Sequence, residues 1–367
     1  MEYEVAVVGA GPSGSLCAAS CANKMDTLLL GGYDERMRCA GLISLPGLKE
    51  IGCDFKDIAI NRVRGAKIIS PGEVTVEVDG KTERAWVVDR VELDKRIYEK
   101  AQDAGAHTDP GWCESIKNGG LICAGGRSFT SRKVVLACGT NYSLQHKLGF
   151  DVPKRFLLGA QYEVKVECDP DFVELHFNVP GFFTWIIPLG DGRARVGLAT
   201  YAQPKKHLNL FLNKLKRGAR LTSEKVYSEN YGVIPLFDPN LRIQYGDVCL
   251  VGDAAAQVKA TSGGGVVYGC RAAQHASKPD YEEIFKSNFS GELRLHLMIH
   301  DFLNRLSDNR MDEFFRLINS HKHVLECEGD MDSAEKTLYA LIKKPSFLMG
   351  FLAKSPKLFL DFFSGGF

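Results

Sequence analysis

Gly9-Ala10-Gly11-Pro12-Ser13-Gly14 stands between a short apolar run, Glu4–Val8, and a small-residue stretch of helical character, Ser15–Asn23. In a strand–turn–helix setting this spacing has a mechanical reading. Gly9 permits the tight turn, Gly11 lets backbone approach a pyrophosphate, and Gly14 lets helix and strand pack closely. The helix N-terminus then presents free N–H groups to the phosphates. An acidic residue at the end of the second strand, Thr27–Leu30, ordinarily holds the ribose. Here that place is Gly31-Gly32, so either Asp34 or Glu35 reaches back or the backbone does the work.

A second constellation lies more than two hundred residues on. Val251-Gly252-Asp253-Ala254-Ala255 follows the apolar run Asp247–Val251 and precedes Gly263-Gly264-Gly265 and a helical stretch. A carboxylate at a strand end can accept a ribityl hydroxyl, and glycines at a helix start can receive a ring carbonyl or phosphate oxygen on their N–H groups. Taken alone, Gly252-Asp253-Ala254 is as readily a turn capped by its aspartate. Paired with the N-terminal turn, it describes a two-segment site built around a pyrophosphate, and the expected cofactor is FAD rather than FMN. A third element, Val88-Asp89-Arg90-Val91-Glu92-Leu93-Asp94, taken alone is helix-start charge with an exposed arginine.

Eleven cysteines occur, an odd number with no CxxC pair. Neither a disulfide framework nor a zinc or other metal site reads well, and most are expected as small buried thiols in a reducing compartment. Cys39 stands apart. Phe183-Thr184-Trp185-Ile186-Ile187-Pro188 lies on an alternating strand, where a core aromatic is the plain reading of Trp185.

The elements that must position these residues suit a chain of 367 residues, 45% hydrophobic and 25% charged, with net charge +1. This is globular composition, with no reason to expect nucleic acid as partner. No stretch approaches the ~20 apolar residues of a membrane span, and no signal arrangement opens the chain, so the expected location is cytoplasmic. The pattern predicts an α/β fold (α+β overall). A Rossmann-like FAD-binding domain covers 1–150 and 232–280, an inserted antiparallel sheet for substrate 151–231, and a helical region 281–367. Strands are expected at Ala66–Ser70 and Val74–Val78 across a Pro71-Gly72 turn, and the stretch from Leu30 to about Asn61 reads as irregular. Val91–Gly105 reads as an amphipathic helix with Leu93, Ile97, Ala101 and Ala104 on one face.

Together the three elements resemble the aromatic hydroxylase-like flavoproteins, in which the arginine matching Arg90 lies beside the flavin. Within them, Arg38-Cys39-Ala40-Gly41-Leu42-Ile43-Ser44 resembles the cysteine loop of the geranylgeranyl reductase family. Val251–Lys259 running into Gly263-Gly264-Gly265 is similar to that family's flavin segment. Phe183-Thr184-Trp185-Ile186-Ile187-Pro188 resembles its YxWxFP motif, with Phe for Tyr and Ile for Phe, although flavin halogenases carry WxWxIP in a comparable place.

The resemblance implies saturation of isoprenoid double bonds. It places Gly9, Gly11, Ser13, Gly14, Cys39, Ala40, Gly41, Arg90, Cys113, Asp253, Gly264, Gly265 and Val266 at the flavin. Phe183, Trp185 and Pro188 would line a lipid channel, and Cys39 would be catalytic. The electron donor would be NAD(P)H bound transiently or a ferredoxin-like protein. The alternatives are a flavin monooxygenase or halogenase, and an electron carrier without an organic substrate. In the C-terminal segment Phe347, Leu348, Phe351 and Leu352 share a helical face, as do Leu358, Phe359, Phe362 and Phe363. Lys343, Lys344, Lys354 and Lys357 flank them. Two readings stand: packing on the core, or docking on a membrane surface.

Overall fold

The computed structural model describes residues 2–354 apart from 34, 37, 38, 118, 119, 124 and 125, and gives the backbone alone for 120–123, 353 and 354. Val5, Ala6, Val7 and Val8 are all buried, as are Leu28, Leu29 and Leu30. Apolar on both faces, such runs belong inside a parallel sheet covered by helices. Among the described residues eight strands form the sheet, five of them mutually parallel. Its main path runs Gln244–Tyr245, Val248–Leu250, Ser128–Leu136, Glu2–Val8, Thr27–Leu30, His107–Asp109. The contacts from Val248–Leu250 to His107–Asp109 are parallel. The chain therefore leaves three adjacent strands at the same edge, at Gly9, Ala137 and Val251, where open α/β sheets bind ligands.

The helix Pro12–Ala22 packs against Arg90–Asp103 and Val266–Ala273. Arg90–Asp103 starts where Asp89 accepts the Val91 and Glu92 N–H groups, and it buries Leu93, Ile97 and Ala101 completely. A cap of this kind satisfies orphan donors at a helix start.

A second sheet runs Leu221–Pro235, Phe156–Val166, Arg193–Thr200, Phe182–Gly190, Phe172–Val179, Gly65–Ile69, Thr75–Asp79. The hairpin around Pro71-Gly72 forms as expected, but it extends this sheet, pairing parallel to Phe172–Val179. Local pattern gives a hairpin and not its partner. The stretch between Leu30 and Asn61 is also more regular than expected. Leu42–Ser44 pairs with Ala85–Val88, and Ser44 Oγ caps the helix Leu45–Ile51 by accepting the Gly47 N–H at 3.0 Å.

Alternation divides the faces of the large sheet. Tyr162, Val164, Ile186, Val196 and Leu198 pack under Leu208, Phe211 and Leu215 of the helix Pro204–Arg217. The opposite face carries Gln161, Phe183, Trp185 and Ile187 and is roofed by the helices from Ser290 to Lys354. In Pro345–Lys354 both Phe347 and Phe351 point inward, onto Phe302, Leu317 and Leu341. For this segment the core-packing reading is the one observed. Lys357, Leu358, Phe359, Phe362 and Phe363 lie outside the described residues. No helix of the described residues is long and apolar enough to cross a membrane.

Candidate flavin and substrate site

The N-terminal turn is as tight as its glycines allow. A Cβ on Gly9 would lie 2.3 Å from the Ala137 carbonyl oxygen, and one on Gly14 would lie 1.9 Å from that of Gly9. Ser13 Oγ sits where a Cβ on Gly252 or Gly269 would come, at 2.9 and 2.4 Å. The two glycine segments, distant in sequence, thus meet at Ser13. The helices Pro12–Ala22 and Val266–Ala273 begin at Gly11 and Gly265 with no side-chain cap. Both uncapped ends open on one cavity, so their free N–H groups are available to an anionic or carbonyl oxygen.

Asp253 lines the same cavity, and a Cβ on Gly265 would lie 2.9 Å from its Oδ1. Burial pushes its pKa up to about 6, with Arg90 pulling the other way. Tyr142 binds the Asp253 backbone carbonyl, which leaves the carboxylate for a ligand. Arg90 also faces the cavity and is not the exposed residue that helix-start charge alone suggests. Its Nε and Nη2 donate to Asp94 at 3.0 and 3.1 Å. Burial opposes its charge, but Asp94 and Cys39 outweigh burial and raise its pKa. Cys39 and Ala40 line the cavity beside it, and the Gly41 N–H reaches Cys39 Sγ at 3.4 Å.

The cavity measures about 830 Å³. It runs from these segments along Gln161, Phe183, Trp185 and Ile187 into the helical region, where Phe302, Leu303, Phe314, Ile318, Phe347 and Phe351 form its wall. Trp185 is held by a hydrogen bond from Nε1 to Gln161 Oε1 at 3.0 Å. The glycines Gly11, Gly14, Gly264 and Gly265, with Ser13 and Val266, line it as the sequence reading requires.

Four expected residues stand elsewhere. Gly9 and Gly41 back the turns without lining the cavity. Pro188 is one residue out of phase with Phe183, Trp185 and Ile187, so it faces away, and its carbonyl accepts Asn61 Nδ2 at 3.0 Å. Cys113 is buried in the core of the parallel sheet, at the start of Cys113–Lys117. Asp34, a candidate for the ribose, lies outside the described residues, and Glu35 is exposed.

Three features escape the sequence reading. The wall from the helical region has the i, i+3, i+4 pattern of any core helix, so nothing marks it as lining. Lys259, directly after the Asp253 segment, pairs in the interior with Asp332 and donates to the Met331 carbonyl at 2.7 Å. Asp332 also accepts from Ser44, and its backbone carbonyl accepts the Tyr268 hydroxyl at 2.6 Å. This ties the flavin-side loop, the strand after Cys39 and the C-terminal region together. His296 lies within bonding distance of Thr261 through Nδ1, at 2.6 Å, and burial pushes its pKa down to about 3, leaving it neutral.

A parallel sheet with its glycine turn, a second glycine segment meeting it, and a substrate sheet across one cavity define a flavoprotein oxidoreductase of the FAD-dependent class. No family model matches the chain. A digeranylgeranylglycerophospholipid reductase of Methanopyrus kandleri is 31% identical over 347 residues, which cover 86% of this chain and 83% of the relative. A second from the same organism is 30% identical, covering 91% and 93%. The chain belongs to the digeranylgeranylglycerophospholipid reductase family. Among solved structures, a geranylgeranyl bacteriochlorophyll reductase-like protein from Thermoplasma acidophilum superimposes with a TM-score of 0.83, covering 96% of this chain and 99% of that one at 22% identity. A flavin-dependent brominase shares the fold at a TM-score of 0.64 and 16% identity.

Proposed function

We propose that this enzyme saturates carbon–carbon double bonds of a geranylgeranyl-type isoprenoid lipid, using bound FAD. The observation that carries this reading is the single cavity joining both glycine segments and Cys39 to a long apolar wall. Gly11, Ser13 and Gly14 would hold the pyrophosphate, Asp253 a ribityl hydroxyl, and the N–H groups of Gly264, Gly265 and Val266 a ring carbonyl. Reduced FAD, when bound, supplies the hydride.

An isolated alkene has no carbonyl to polarise, so the protein's work is positioning and exclusion of water. Phe183 and Trp185, the latter fixed by Gln161, would align the chain across the flavin. The aromatic helical wall would keep its remainder dry. Cys39, beside Arg90 where the glycine segments meet the apolar wall, would orient the alkene or take part in proton transfer. The electrons would come from NAD(P)H bound transiently or from a ferredoxin-like protein, and the chain would work from the cytoplasm.

Incubating the FAD-loaded protein with a digeranylgeranyl glycerophospholipid and a chemical reductant tests the reading. The lipid should gain hydrogen and nothing else by mass. Incorporation of oxygen or halogen would assign the chain to the other chemistries of this fold.

A further inference from the structure

Arg195 stands on the strand Arg193–Thr200 and is 3% exposed. Its Nη1 donates to the Ala40 carbonyl at 2.7 Å, and a Cβ on Gly41 would lie 2.6 Å from that nitrogen. Its Nε has no acceptor. The titratable and charged groups facing it are Cys39, Glu163, Asp89 and Arg90. Glu163 is engaged by Arg193 at 3.0 Å, and Asp89 caps its helix through the Val91 and Glu92 N–H groups. Arg90 has Asp94. Among the described residues Arg195 is left without a carboxylate of its own, and burial lowers its pKa. A guanidinium nonetheless keeps its proton. A buried cation without a counter-charge is costly, and the cost is relieved when an anion arrives beside it.

We propose that Arg195 is a positioning residue that holds the Cys39–Gly41 segment by the Ala40 carbonyl and raises the midpoint potential of the flavin. The inference rests on the FAD reading above. Two electrons and one proton convert oxidised FAD to a reduced form that keeps a negative charge on its pyrimidine ring. Arg195 does not line the cavity itself, but Cys39 and Ala40 beside it do, so that charge would be felt by a cation the interior otherwise leaves uncompensated. Arg90 cannot serve equally, because Asp94 already neutralises it.

The test is the midpoint potential of the holoprotein, titrated with dithionite against a reference dye in the absence of lipid. Arg195→Lys keeps the charge and should stay near the parent. Arg195→Gln should shift the oxidised-to-reduced ratio at fixed potential at least tenfold toward oxidised, which is about 30 mV for a two-electron couple. In the parent, the potential should fall by about 30 mV for each tenfold drop in proton concentration, the slope for one proton per two electrons. That slope needs no variant; should Arg195→Gln fail to fold, Arg195→Met, which keeps much of the bulk without the charge, is titrated in its place and should show the same shift. An unshifted Arg195→Gln, or a parent slope of two protons, overturns the inference and leaves the FAD reading intact. A parent that binds no FAD overturns both.

Discussion

Asp253 is placed under two demands that conflict when FAD is absent. Its carboxylate lines the cavity proposed for the cofactor, and burial pushes its pKa from 3.8 up to about 6. The folded chain therefore binds the proton more tightly than the unfolded one. Stability is highest below about pH 4 and falls as pH rises through 6, by up to about 3 kcal/mol at ~1.4 kcal/mol per unit. Asp253→Asn removes this penalty. Urea unfolding of the FAD-free proteins should show the variant more stable than the parent at pH 7 and equal to it at pH 4. Parallel curves at both pH values would place the parent carboxylate in water. FAD retention should move the opposite way. Asp253→Ala loses a charge-assisted hydrogen bond of about 1.5–3 kcal/mol, roughly a ten- to hundredfold weaker affinity by equilibrium dialysis.

Cys39 sits at the join of flavin segments and apolar wall, so Cys39→Ala should keep FAD and slow alkene reduction. Cys39→Ser, compared with it in single-turnover assays, separates acid–base ability from bulk. Equal rates in all three proteins would reduce Cys39 to packing. The glycine turns were legible because the backbone geometry admits few alternatives: only glycine fits at 9 and 14. Pro188 misled because a motif is contiguous while a strand alternates. Arg195 left no trace, since a buried arginine and an exposed one are the same letter.

At the level of elements, the Lys259–Asp332 pair fastens the helical region to the loop that follows Asp253. Both side chains are about 95% buried or more. Lys259→Met strands the Asp332 carboxylate in the interior, and the expected loss is about 3–5 kcal/mol in urea unfolding. Lys259→Met combined with Asp332→Leu should recover most of it, since two apolar residues leave no charge unmatched. A double variant no better than the single one would locate the loss in the hydrogen bonds to Met331 and Ser44 instead. Strands and helices with a sustained period were readable, as at Leu93, Ile97 and Ala101. The short elements Leu42–Ser44 and Leu45–Ile51 were not, because three to seven residues carry too little periodicity. The edge hairpin Gly65–Asp79 was recognisable in itself, but its sheet is chosen by tertiary packing.

The whole molecule places three layers of different origin around one space. The parallel sheet supplies turns and helix ends, the antiparallel sheet an aromatic face, and the C-terminal helices an apolar roof. None of them alone would enclose both a flavin and a long chain, which is why the cavity could not be read from any one segment. A single anaerobic turnover tests alkene reduction by this protein most directly. Protein with FAD chemically reduced, freed of excess reductant, is mixed with a digeranylgeranyl glycerophospholipid, while flavin absorbance and lipid mass are followed together. The prediction is that oxidised flavin returns without oxygen and that the lipid gains one H₂ per flavin oxidised. Flavin that stays reduced until air is admitted, with the lipid's double bonds intact, would contradict it.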